Sequence, residues 1–230
     1  MKIFLTVSLA LVTSATALAG PGVKRSDEVQ RLQRATEVFS EIMKTPDKGV
    51  PEDLLDRAAC IAIVPGLKKG GLGIGGRYGK GVVMCRKANK SWSAPSFITV
   101  EGGSVGLQIG FQQIDLVMLI MNREGMEKLL GDKFTVGADI SAAAGPVGRQ
   151  ASAETNIRLD AKILTYSRAK GLFAGITLNG AVVKQDKDDN RDFYEKEMDP
   201  SEILFGETVP MPREARALAA ALSWKSPRKR

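Results

Sequence analysis

The sequence predicts an α+β fold: an antiparallel, β-rich sandwich or barrel of many short strands, flanked by N-terminal and C-terminal helices. Three observations carry that expectation. From Gly70 to Gly180 the chain is rich in glycine, and short apolar runs alternate with turn residues. Before this stretch, Arg25–Lys44 carries apolar residues at helical spacing. After it, Arg213–Leu222 is an Ala-rich run of helix formers. Composition does not break within 25–210, so one domain is expected over 20–210, with 211–230 adding a helix and a basic tail.

In chain order, residues 1–19 read as a cleavable export signal. Lys2 supplies the positive start, Ile3–Val12 the apolar run, and Ala17-Leu18-Ala19 the small-x-small cleavage site before Gly20. That run is shorter than the roughly 20 apolar residues needed to span a bilayer. In Arg25–Lys44, Val29, Leu32, Phe39 and Met43 share a stripe between charged residues, and Thr45-Pro46 ends the helix. Such a stripe packs on the protein's own sheet or lies on a bilayer. Pro51-Glu52-Asp53 opens a short helix through Arg57. Strands are expected at Cys60–Val64, Gly73–Arg77, Gly81–Arg86, Ser96–Glu101, Val105–Gln112 and Asp115–Asn122. A helix follows at Arg123–Leu130. Further strands are expected at Phe134–Ala142, Ala153–Leu159, Ala161–Ser167, Gly171–Leu178 and Ala181–Lys184. Helices at Asn190–Glu197, from Pro200, and at Arg213–Leu222 complete the chain before its basic end, Lys225–Arg230.

Composition narrows the chemistry. A net charge of +7 favours acidic partners, and export argues against nucleic acid among them. The chain has no histidine, which removes His-based nucleophile activation and the commonest metal ligand. Gly71–Gly76 spells G-x-G-x-x-G but leads into strand, not helix. Gly102–Gly106 spells G-x-S-x-G without a histidine to take the serine proton. Ser167–Lys170 fits S-x-x-K, yet the companion S-D-N and K-T-G motifs are absent. Asp186, Asp188 and Asn190 have calcium-loop spacing, but Arg191 stands where that loop needs glycine; a polar turn capping the next helix fits better. No enzyme, cofactor or metal site is expected. Cys60 and Cys85 sit in apolar, strand-like runs, and the spacing leaves open a disulfide or two buried thiols.

One segment keeps a functional reading. Leu67-Lys68-Lys69-Gly70-Gly71-Leu72, with Arg77 and Lys80 close behind, sets four cations and two leucines around a glycine-rich turn. Backbone N–H groups and cations suit phosphate, and exposed leucine beside cations suits a bilayer surface. An ordinary solvated hairpin has the same composition.

These residues also carry a resemblance. Ala62–Gly71, Gly76–Val83, Trp92–Ser96, Ala144–Arg149, Tyr166–Gly175 and Asn190–Tyr194 occur in an order similar to that of the SYLF family of lipid-binding domains, over roughly residues 30–206. The resemblance implies a non-enzymatic domain that binds anionic phospholipid. It implies phosphoinositides in eukaryotic relatives, actin in fungal ones, and a secreted or periplasmic role in bacterial ones. The export signal, and the lack of an attached SH3 or FYVE module, argue against actin and phosphoinositides as partners here. The expected ligand is therefore the anionic phospholipid of a bacterial envelope, met peripherally from a periplasmic or extracellular position. An envelope scaffold binding a protein or polysaccharide is the alternative. Segments basic in the family are basic here at Lys68, Lys69, Arg77, Lys80, Arg168 and Lys170. Leu67 and Leu72, or Leu172 and Phe173, are the expected inserting residues.

Overall fold

A computed structural model describes residues 22–44, 49–147, 161–169 and 172–226, with side-chain surroundings for all of these except 22–24, 72–74 and 104–109. The expected signal segment, the expected strand Ala153–Leu159 and Lys170 lie outside the described residues.

Two helices lead in. In α1 (Gly22–Met43), Leu32, Ala35, Val38, Phe39, Ile42 and Met43 recur every three or four residues, and all are buried. The stripe therefore packs on the protein's own sheet and is not available to a bilayer. Helix α2 (Glu52–Arg57) buries Leu54 and Leu55.

Strands β1 (Cys60–Cys85) and β2 (Ser96–Ile120) form one long antiparallel ribbon, from Cys60 opposite Ile120 to Val83 opposite Ser96. This corrects the expected short strands: three merge into β1 and three into β2. Most of the ribbon's glycines continue the strand, while Gly66 (φ +65°) and Gly110 (φ +128°) take positive-φ backbone within it. Without side chains they let the ribbon bend sharply, with register shifts at Val64/Leu67 and Leu72/Ile74, while its pairing continues.

The ribbon is also doubled back on itself. Cys60 and Cys85, at the two ends of β1, lie 4.0 Å apart between Cα atoms and form a disulfide, which settles the alternatives left open by their spacing. The Arg86 N–H donates to the Ala59 carbonyl at 2.8 Å. A Cβ on Gly81 would stand 2.6 Å from the Ile63 carbonyl oxygen, so the two halves of β1 meet at a distance only glycine permits.

The remaining strands are β3 (Lys133–Thr135), β4 (Ala142–Ala144), β5 (Ile163–Ala169), β6 (Leu172–Gly175) and β7 (Val182–Gln185). The second half of β2 pairs with β5 and its first half with β7. All seven strands join one curled sheet, antiparallel except for β4 beside β5. Ile61, Ile63, Val82, Met84 and Phe97 face the helices. Ala62, Val64, Val83, Ile98 and Val100 face the other way, toward Leu129, Phe134 and Leu178. Burial on both faces explains why these segments are near-continuous apolar runs.

Helix α3 (Arg123–Leu130) matches its expected span, capped by Asn122, whose side chain accepts from the Gly125 N–H at 3.0 Å. Helix α4 (Lys187–Tyr194) begins three residues before the expected Asn190, because Asp186 caps it by accepting from the Asp189 N–H. Helix α5 (Pro200–Phe205) and, after a 3-10 turn at Arg213–Ala215, helix α6 (Arg216–Lys225) close the chain, with α6 against α1.

Candidate functional site

The ribbon has two unlike ends. At its base, around Cys60, Cys85 and Arg86, helices cover it. Its bend carries the glycine-rich segment singled out in the sequence. There Lys68 stands opposite Gln113, Lys69 opposite Gln112 and Gly70 opposite Phe111.

Lys68 is exposed and Lys69 half-buried, and neither has an ion-pair partner among the described residues. Arg77, half-buried on the returning half of β1, has a buried Nε without a hydrogen-bond partner, and burial pulls its guanidinium below the usual arginine range. Among the described residues these three cations have no acid partner. Two others are paired. Lys80 Nζ lies 2.9 Å from Asp186 and 2.8 Å from Asp189, tying β1 to α4. Burial alone would lower its pKa, but the two carboxylates hold it above the usual lysine value. Arg168 donates to Asp115 through Nε (3.0 Å) and Nη2 (2.7 Å), and its Nη1 reaches Glu41 of α1. Both expected headgroup contacts are therefore structural ion pairs, a correction that follows from acids far away in sequence.

The apolar expectations divide in the same way. Leu67 is 1% exposed and belongs to the core, so it cannot enter a bilayer; the register shift after Val64 turns it inward. Leu72 lies in β1, and its side chain is outside those described. Phe173 stacks on Tyr166, with ring centroids 5.3 Å apart, and is committed there. Leu172 is 78% exposed at the start of β6. Its partner Ala169 ends β5, one residue beyond the Asp115–Arg168 pair, which brings the β5–β6 hairpin beside the ribbon.

Sequence reading missed Phe111, which is 97% exposed. Its ring lies over Gly70, where a Cβ would come within 2.4 Å of it. The available signal was one large aromatic between Gly110 and Gln112-Gln113, in a strand otherwise expected to alternate. By strand rise, Phe111 lies roughly 13 Å beyond Asp115 along β2, with Leu172 about two strand spacings to the side. Exposed apolar side chains near cations without acid partners among the described residues suit anionic headgroups with carbon below them.

The other motifs carry no site geometry. Gly75 and Gly103 pair in continuous strand, opposite Ser104 and Gly76 respectively, so neither glycine motif opens a helix. No group of three or more metal-ligand side chains occurs among the described residues. No helix among them is long and apolar enough to cross a membrane.

Residues 101–224, from the first part of β2 into the last turn of α6, match the family model described as "Ysc84: Las17-binding protein actin regulator". The chain is 34% identical over 199 residues to SH3 domain-containing YSC84-like protein 1 of Rattus norvegicus, covering 85% of this chain and 58% of that one. The Homo sapiens protein of that name is 34% identical over 194 residues, 83% of this chain and 56% of the relative. LAS seventeen-binding protein 3 of Saccharomyces cerevisiae is 34% identical over 169 residues, 72% of this chain and 37% of the relative. The chain thus spans less than two thirds of each of these relatives. By these matches the chain belongs to the Ysc84 family, the family of the SYLF domain.

Proposed function

We propose that the protein binds anionic phospholipid peripherally and without catalysis, from outside the cytoplasm at a bacterial envelope. One observation carries the reading: the ribbon bend carries Lys68, Lys69 and Arg77, uncompensated among the described residues, together with exposed Phe111, and the β6 strand on the same sheet carries exposed Leu172. Cations near an anionic bilayer contribute on the order of 1 kcal/mol each, and the two apolar side chains add a reversible hydrophobic contact. Export from a signal at residues 1–19 would place the domain against phosphatidylglycerol or cardiolipin.

Co-sedimentation of the purified chain with vesicles at rising salt tests this. Binding confined to vesicles containing phosphatidylglycerol or cardiolipin, and weakened by salt, is the expected result. The double variant Lys68→Glu with Lys69→Glu should lose at least about thirtyfold in affinity, since two contacts of about 1 kcal/mol each disappear. A folded chain that ignores both neutral and anionic vesicles would sink the proposal. The relatives' names favour a second reading, a scaffold for a protein partner, whose signature is binding that survives high salt.

A further inference from the structure

A second apolar surface lies where the end of α1 meets the end of α6. Phe39 and Met43 form the floor of a groove of about 280 Å³, Ala221 lines one side, and Trp224 stands over it 80% exposed. Lys44 and Lys225 border the opening. Among the described residues Lys225 pairs with Glu52, itself exposed and 4.0 Å from the amine, a weak and screened contact, and Lys44 also borders a neighbouring groove that holds Glu37, Glu41 and Glu214. In sequence, the basic residues Lys225, Arg228, Lys229 and Arg230 follow this tryptophan. An uncovered indole over an apolar slot, bordered by lysines, has the arrangement of a membrane-interface anchor: the ring sits at headgroup depth, carbon lies below it and cations meet phosphate.

We infer that the α1–α6 groove takes an acyl chain of an anionic phospholipid, with Trp224 at the bilayer interface and Lys44 and Lys225 on the headgroup phosphate. The inference rests on the lipid-binding reading and adds to it a second, separate contact. Charge complementarity selects the occupant, because an apolar slot between lysines matches a lipid that has a negative headgroup on a hydrocarbon chain.

The chain supplies its own reporter. Of its two tryptophans, Trp92 is 4% exposed, so a change in emission on lipid binding reports Trp224. Phosphatidylglycerol vesicles should shift the emission to the blue, and phosphatidylcholine brominated on its acyl chains, mixed into those vesicles, should quench it. Trp224→Phe should abolish both signals while most of the co-sedimentation remains. Ala221→Glu, which places a carboxylate in the slot, should abolish quenching with an unchanged circular dichroism spectrum. Co-sedimentation with an unmoved, unquenched Trp224 would overturn this inference and leave the ribbon site standing. Quenching that persists in Ala221→Glu would also overturn it, whereas absence of co-sedimentation would remove both proposals.

Discussion

The base and the bend of the β1–β2 ribbon are made from the same two strands and obey opposite rules. At the base, both faces are covered and almost every charge is answered. Arg86 donates to the Ser226 carbonyl at 2.8 Å and stacks over Trp92 at 4.3 Å. Arg31 meets Asp189 at 2.5 Å, and Lys80 joins the same carboxylate. At the bend, glycine replaces the apolar alternation, Lys68, Lys69 and Arg77 have no acid partner among the described residues, and Phe111 faces solvent. Continuous hydrogen bonding lets one ribbon hold a tight core at one end and extend the proposed binding surface from the other. Stability and binding should therefore separate by position, and substitutions can test how cleanly.

The largest loss of stability should come from Asp189→Ala. It leaves Arg31, which also lies over Phe97, as a buried charge without its acid. Removing one member of a buried pair costs about 3–5 kcal/mol, to be read as a drop in the urea midpoint. Next, Cys60→Ala with Cys85→Ala unties the two ends of β1 and should cost about 2–4 kcal/mol, measured against the wild type with and without reductant. A loss as large from Phe111→Ser would erase the distinction between base and bend.

The pH dependence should belong to the base as well. Burial alone would raise the Asp186 pKa, but Lys80, the Asp189 N–H and the Thr99 hydroxyl hold it below the usual aspartate range. Its contribution is present above the unfolded value near 3.8 and is lost as pH falls through the lower folded value. Lys80 is raised, so its contribution holds below 10.5 and is lost as pH climbs through the higher folded value. Thermal unfolding from pH 3 to 11 should show both losses at the extremes. Glu28 has the opposite sign among the acids. Burial raises its pKa and its Oε2 has no hydrogen-bond partner among the described residues, so ionisation at neutral pH works against folding. Glu28→Gln should raise stability by up to about 1 kcal/mol at pH 7, with the gain shrinking in acid.

The smallest change in stability, within about 0.5 kcal/mol, should come from Phe111→Ser, because an exposed side chain buries nothing on folding. Its affinity for anionic vesicles should fall all the same. Unchanged binding in that variant would move the contact to Leu172 or to the lysines alone.

The α+β class, the flanking helices and the span of α3 were readable from composition, periodicity and caps, which act within a few residues. So was the cluster at Lys68, Lys69 and Arg77, because charge and glycine are written locally. Tertiary structure decided which members of that cluster are uncompensated. Lys80 and Arg168 are neutralised by acids more than fifty residues away in sequence, at Asp189 and Asp115. It also decided the length of the strands, since a glycine suits a turn or a bend within a strand equally well until a pairing partner selects one. Leu67 turned inward through a single register shift, which reverses a strand's faces without any change in composition. Phe111 and Trp224 resemble core residues in sequence and face solvent in the fold, because burial depends on what the rest of the chain brings to cover them.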